Sequence, residues 1–348
     1  MNNNSTHKHI SCSENGKKAV FLSRKILCPV LSVLMVLSMT GCSRGYISSY
    51  NDNAGRSSFS LTAVSADFSG RAGLFAQDMP VPGEGISLSI GKNNASALFD
   101  LDSGTTVVEN NITKKIYPAS TTKIMTALLA IKYGKMDDML KASSTVAGLE
   151  WEAQKIGIEP GDKMTLDQAL HYLMVYSAND AAIMIAEHIG GTYDKFIDMM
   201  NEEAAYLGAT STHFVNPHGL HSKDHYTTAY DLFLIFQECL KYDKFRELIR
   251  LDSYNTVFHD KDGNIRAIEV PSTDNYLVGV TKAPNTIRVI GGKTGTTNQA
   301  GSCLIILSES SSGREFVSVV LGAPDSPALY VSMNQLLRKA REYSKEKE

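Results

Sequence analysis

Residues Ser120-Thr121-Thr122-Lys123 set a hydroxyl and an amine three positions apart. On a helix that spacing puts both side chains on one face. A serine hydroxyl is a weak nucleophile until a base takes its proton, and a lysine desolvated among apolar residues and near positive charge is neutral enough to be that base. The start of a helix also offers backbone N–H groups to a developing oxyanion. Taken alone the pattern is ambiguous, because serine at a helix start is also a common cap and lysine a common surface residue.

Two further elements carry matching chemistry. Ser177-Ala178-Asn179 falls between two segments of helical apolar periodicity, where a serine can pass protons and an asparagine can hold a substrate amide. The bland alternative is a helix cap. Lys293-Thr294-Gly295-Thr296-Thr297 follows the strand-like Ile287 to Ile290 through Gly291-Gly292. A glycine-flanked edge admits a peptide close to the backbone, Lys293 supplies charge, and threonine hydroxyls donate to a carboxylate. Its alternative is a glycine turn between strands.

In the order S-x-x-K, S-x-N, K-T-G the three are far more specific than any one. The constellation resembles the penicillin-binding proteins and serine β-lactamases. Its surroundings narrow this to the low-molecular-weight D-alanyl-D-alanine carboxypeptidases: Tyr117-Pro118-Ala119-Ser120, Gly157-Ile158-Glu159-Pro160-Gly161-Asp162, Phe214-Val215-Asn216-Pro217-His218-Gly219-Leu220 and Ala300-Gly301-Ser302-Cys303, a likeness running from about Pro80 to the end. The resemblance implies an α/β (α+β) fold of the β-lactamase/transpeptidase kind. It implies removal of the terminal D-Ala from peptidoglycan stem peptides and covalent inhibition by β-lactams. Ser120 would be the acylated nucleophile, Lys123 its base, Ser177 and Asn179 the proton-relay and amide-binding residues. Lys293, Thr294, Gly295 and Thr296 would form the substrate-binding strand, with the oxyanion hole at the N–H groups of Ser120 and Thr296. No cofactor and no metal are implied.

Several departures bear on this reading. Some family members carry His where Thr296 stands. Thr273-Asp274-Asn275 occupies the region where relatives often have Asn-x-Asn with a nearby Arg, which leaves Arg266, Arg288 or Lys282 as alternatives for binding the terminal carboxylate. The class A β-lactamases, a rival reading, deacylate with a Glu in a Glu-x-x-Leu-Asn pattern, and Glu150, Glu152 and Glu159 do not fit it. A non-catalytic β-lactam-binding lipoprotein is a second alternative, disfavoured by three intact motifs.

The elements that must position these residues can be read from periodicity. Ile86 to Ile90, Ser96 to Leu101 and Thr105 to Glu109 read as strands. The Ser120 to Tyr133 helix is apolar nearly all round and so belongs in a core. Helices are expected at Leu166 to Val175, Asp180 to Ile189, Tyr193 to Leu207 and Thr228 to Tyr242. Strand character returns at Tyr254 to Phe258, Arg266 to Val270, Ile287 to Ile290, Cys303 to Leu307 and Phe316 to Leu321, before a closing amphipathic helix at Leu329 to Ser344. This order suggests an antiparallel sheet flanked by helices, with a mainly helical lobe at about 144–250 inside a catalytic domain at 80–348. The β-rich C-terminal domain and membrane-binding tail helix of many relatives are not expected after the closing helix.

Lys17, Lys18, Arg24 and Lys25, the apolar run Ile26 to Met39, and Met39-Thr40-Gly41-Cys42 resemble an export signal ending in a lipobox. The expectation is a signal peptide at 1–41, lipidation of Cys42 as the membrane anchor, and a Ser/Gly/Asn-rich tether at 42–79. Met in the first lipobox position is atypical and leaves an uncleaved anchor or ordinary cleavage as alternatives. The protein would then work outside the cytoplasmic membrane. A formal net charge of -3 argues against nucleic acid as a partner. Cys239 and Cys303 are expected as buried free thiols, Trp151 as a packing residue, and His213, His218, His221 and His225 match no zinc spacing.

Overall fold

The computed structural model describes residues 94–347. The expected signal, Cys42, the tether and the Ile86 to Ile90 strand lie outside the described residues. The strands β1 (Ala95–Asp100), β2 (Thr105–Asn110), β7 (Ile287–Thr297), β8 (Gly301–Ser310) and β9 (Glu315–Ala323) form one antiparallel sheet in the order β2-β1-β9-β8-β7. Side chains alternate between its faces. Ala97, Phe99, Cys303, Ile305, Leu307, Val317 and Val319 join the main core, while Leu98, Leu304, Ile306, Phe316 and Val320 face the closing helix. Burial on both faces is why Cys303 to Leu307 is a continuous apolar run.

The first helix, α1 (Lys123–Tyr133), is buried from Lys123 to Ala130 and continues a 3₁₀ turn at Ala119–Thr122. Around it stand α2 (Leu166–His171), α3 (Asn179–Gly190), α4 (Tyr193–Tyr206), α5 (Ala229–Cys239) and α6 (Asp243–Ile249). The closing helix, α7 (Ser326–Lys347), lays Leu329, Met333, Leu336, Leu337 and Ala340 on the sheet. Each large side chain buried there contributes about 1.5 to 3 kcal/mol.

Three expectations need correction. Leu166 to Val175 is not one helix: α2 stops at His171 and a π-helical turn, Tyr172–Tyr176, comes next. The widened turn ends on Ser177 in the left-handed region, at φ 68°. Tyr254 to Phe258 and Arg266 to Val270 become β5 (Ser253–His259) and β6 (Ile265–Pro271), which leave the main sheet for a second one. Its other strands, β3 (Met139–Lys141) and β4 (Lys163–Thr165), are too short to show periodicity. Finally, Gly291-Gly292 does not end a strand. β7 runs on through the K-T-G residues with a register shift between Val289 and Gly291. Gly291 has φ 141°, and a Cβ there would lie 1.8 Å from the Ile249 carbonyl at the end of α6, so glycine lets the strand pass under a helix terminus.

Candidate active site

The motifs converge on one cleft of about 250 Å³. Ser120 enters from the 3₁₀ turn, Ser177 from the end of the π turn, and Thr294, Gly295 and Thr296 from β7. Tertiary structure adds Gln154, Ser326 and Tyr330, which no motif flagged as site residues, and Thr273 from the segment that departs from the family's Asn-x-Asn pattern. Tyr330 was legible only as one apolar position of the closing helix. Ala119, just before Ser120, has φ 48°, so both serines stand beside or in backbone conformations that L-residues seldom adopt.

Lys123 is fully buried. Its Nζ lies 3.0 Å from Ser120 Oγ, 2.6 Å from Asn179 Oδ1 and 2.7 Å from the His218 carbonyl. Burial, then the charge of Lys293, holds its pKa well below the usual lysine value, with the charge of Asp180 opposing. These three partners fix where the lone pair points once the proton is lost. A neutral amine keeps two N–H donors and one lone pair. The Asn179 and His218 oxygens can only accept, so they take the two donors. Ser120 is the one partner with a proton to give, and the lone pair is left facing it.

The remaining partners are fixed from behind. Asn216 Oδ1 accepts from the N–H groups of His218 (3.3 Å) and Gly219 (2.6 Å), which shapes the loop whose carbonyl holds Lys123. Asp180 accepts N–H bonds from Ile156 (3.3 Å), Gly157 (2.9 Å) and Ile158 (3.0 Å), and the Asn179 N–H donates to the Gln154 carbonyl at 2.8 Å. The Gly157-to-Asp162 segment is thereby tied to the Ser177-Ala178-Asn179 corner. Ser177 Oγ is buried at the cleft and has no protein partner.

On β7, Lys293 is fully buried and burial pushes its pKa down to about 7, against the pull of Asp274. Its Nζ donates to the Thr294 carbonyl at 2.9 Å. Thr294 Oγ1 and Thr273 Oγ1 are 2.5 Å apart. Gly295 sits directly against the turn that carries Ser120: a Cβ would lie 2.7 Å from the Ser120 nitrogen. None of Arg266, Lys282 and Arg288 lines the cleft. Arg266 pairs with Asp162 at 2.8 Å on the second sheet, and Arg288 pairs with Glu309 on the opposite side of the Gly291 bulge. Lys293 does not line the cleft with its own side chain but stands directly behind it, its Nζ on the carbonyl of the cleft residue Thr294.

A profile of the Peptidase S11 family, D-alanyl-D-alanine carboxypeptidase, matches residues 90–325. The chain belongs to this family. It is 32% identical to the D-alanyl-D-alanine carboxypeptidase DacF of Bacillus subtilis over 66% of this chain and 57% of that protein. It is 33% identical to DacB2 of Mycobacterium tuberculosis over 63% and 71% respectively. Against the first of these the chain spans a little over half of its relative. Among solved structures, the Streptomyces K15 DD-transpeptidase superposes with a TM-score of 0.66 at 25% identity, over 74% of this chain and 98% of that one. The transpeptidase-like α+β fold expected from the motifs is thus the observed one.

The other singled-out residues also find places. His225 accepts from the Val215 N–H at 3.1 Å and donates to Thr122 Oγ1 at 2.7 Å, and burial pushes the pKa of both His218 and His225 down to about 3. These two histidines are neutral hydrogen-bonding groups packed against Thr122 and Lys123. Cys239 and Cys303 are buried free thiols, as expected. Trp151 contradicts its expectation as a packing residue, being 90% exposed. No helix among the described residues is long and apolar enough to cross a membrane.

Proposed function

We propose that this chain removes the terminal D-Ala from peptidoglycan stem peptides through an acyl-enzyme on Ser120, and that β-lactams acylate the same oxygen. The single observation carrying the reading is the buried Lys123 amine 3.0 Å from Ser120 Oγ, its two other partners being oxygens that can only accept. Ser120 Oγ gives its proton to Lys123 Nζ and bonds to the penultimate carbonyl carbon. The oxyanion meets the N–H groups of Ser120 and Thr296. The C–N bond breaks, the leaving D-Ala amine takes the proton through Ser177, and Asn179 holds the substrate amide. Lys293, Thr294 and Thr273 bind the terminal carboxylate. Water then attacks the ester, its proton passing to Lys123 or Ser177, and frees Ser120.

A β-lactam keeps its opened ring attached where D-Ala would have left, so it blocks that water. Gln154 stands in the cleft, whereas Glu150, Glu152 and Glu159 do not line it, which supports the carboxypeptidase reading over a β-lactamase. Mass spectrometry of the protein mixed separately with penicillin and with a peptide ending in D-Ala-D-Ala tests both halves. A stable penicilloyl adduct on Ser120 and catalytic release of D-Ala are expected. Rapid penicillin hydrolysis without D-Ala release would establish the β-lactamase alternative instead.

We further propose that the protein is exported and anchored to the outer face of the cytoplasmic membrane by a lipid on Cys42. Cys42→Ala is expected to move it from the membrane to the soluble fraction or to leave it unprocessed. Wild-type protein found wholly soluble would refute the anchor.

A further inference from the structure

A second cavity, of about 530 Å³, opens beyond the turn between β7 and β8. Lys114, Lys115, Lys223, Tyr117, Tyr226 and Gln299 are among its walls, and no Asp or Glu lines it. In a chain whose formal charge is -3, three ammonium groups around one cavity run against the bulk balance. Lys115 Nζ lies 4.1 Å from the Tyr226 ring centroid, a cation–π contact that holds it at the wall.

The cavity adjoins the cleft through shared elements. Tyr117 stands three residues before Ser120, and its carbonyl faces Cys303 Sγ, a cleft residue, at 3.8 Å. Along β8, Gly301 lines the second cavity and Ser302 and Cys303 the first. Among the described strands β7 is terminal in its sheet, which leaves it an edge without a strand partner, the kind of edge to which an extended peptide adds. Resting on the function proposed above, the terminal carboxylate lies at Lys293 and Thr294 and the reacting carbonyl at Thr296. The acyl-donor residues then continue in the same sense, past Thr297 toward Gln299. At about 3.3 Å per residue, one to three residues before the acylated D-Ala reach the turn whose Asn298, Gln299 and Ala300 line the lysine cavity.

We propose that this cavity is an acyl-side subsite that recognises a free carboxylate on the stem peptide, one to three residues before the D-Ala that is acylated. Lys115 and Lys223 bind it directly, and the gain appears in substrate binding.

The test compares two peptides ending in D-Ala-D-Ala that differ in one group, a free carboxylate or its primary amide on the acyl side. For the full-length protein, kcat/KM for the carboxylate is expected to be about tenfold higher, expressed in KM, as charge-assisted hydrogen bonds allow. In Lys115→Met/Lys223→Met the ratio should fall to within about twofold, and about 0.5 M salt should compress it in wild type. Equal turnover of the two peptides by wild type, or an unchanged ratio in the double variant, overturns the subsite. If neither peptide is cleaved and penicillin leaves Ser120 unlabelled, the carboxypeptidase reading itself has failed.

Discussion

Gly295→Ala probes the contact on which the proposed chemistry depends, the approach of β7 to the turn that carries Ser120. A methyl group at this position would lie 2.7 Å from the Ser120 nitrogen, 2.9 Å from the Thr121 nitrogen and 3.1 Å from the Pro118 carbonyl. All three are main-chain atoms, so no side-chain rotation relieves them. Restoring ordinary contact at about 3.4 Å requires the strand to retreat by about 0.7 Å, when a misplacement of about 1 Å can cost about 10²-fold in rate. That retreat also widens the space between the Ser120 and Thr296 N–H groups, and losing an oxyanion donor costs about 10² to 10³ in kcat. The expected result is acylation by penicillin slowed by about 10 to 10³, measured by rapid quenching and mass spectrometry. Overpacking should cost about 1 to 3 kcal/mol, read from urea unfolding of the same preparation. Gly148→Ala, where a Cβ meets nothing within 4 Å, serves as the control. A folded Gly295→Ala protein that acylates within about twofold of wild type would refute the argument that strand-to-turn spacing sets the reaction geometry.

The buried charges give two further outcomes. Lys293 lowers the Lys123 pKa, so Lys293→Met should let it rise and move the acid limb of the acylation rate to higher pH. It should also remove the alkaline limb expected near the Lys293 value of about 7, because the positive charge lost there is no longer present to lose. An unshifted acid limb in the pH profile would show that the two lysines are not coupled. Asp180→Ala leaves the N–H groups of Ile156, Gly157 and Ile158 without their acceptor, and should destabilise the protein by about 3 to 5 kcal/mol in thermal or urea unfolding, with Asp180→Asn costing less. A loss under about 1 kcal/mol would mean that the loop finds other partners.

Trp151 shows how a sequence argument from residue type alone goes astray. A lone tryptophan in a chain with an ample apolar core is expected inside, yet its loop turns on an Ala153 N–H to Glu150 carbonyl bond of 3.1 Å and leaves the ring in solvent. The π-helical turn at Tyr172–Tyr176 is a similar case. Its apolar spacing fits an α-helix, and only the need to deliver Ser177 beside Ser120 distinguishes the two.

Local chemistry was legible without coordinates: the serine–lysine spacing, the corner serine and asparagine, the lysine–threonine–glycine strand, the apolar first helix and the doubly buried strands. Such features are written in neighbouring residues, because helical and strand periodicities repeat within a few positions. What only the tertiary structure decided are relations between distant segments. These include the carbonyl of His218 against Lys123, the descent of Tyr330 from the closing helix into the cleft, the absence of every candidate arginine from it, and the opening of a lysine-lined cavity beyond the β7–β8 turn. Each depends on which chain segments meet across the core, and side-chain packing, with no sequence period of its own, sets that.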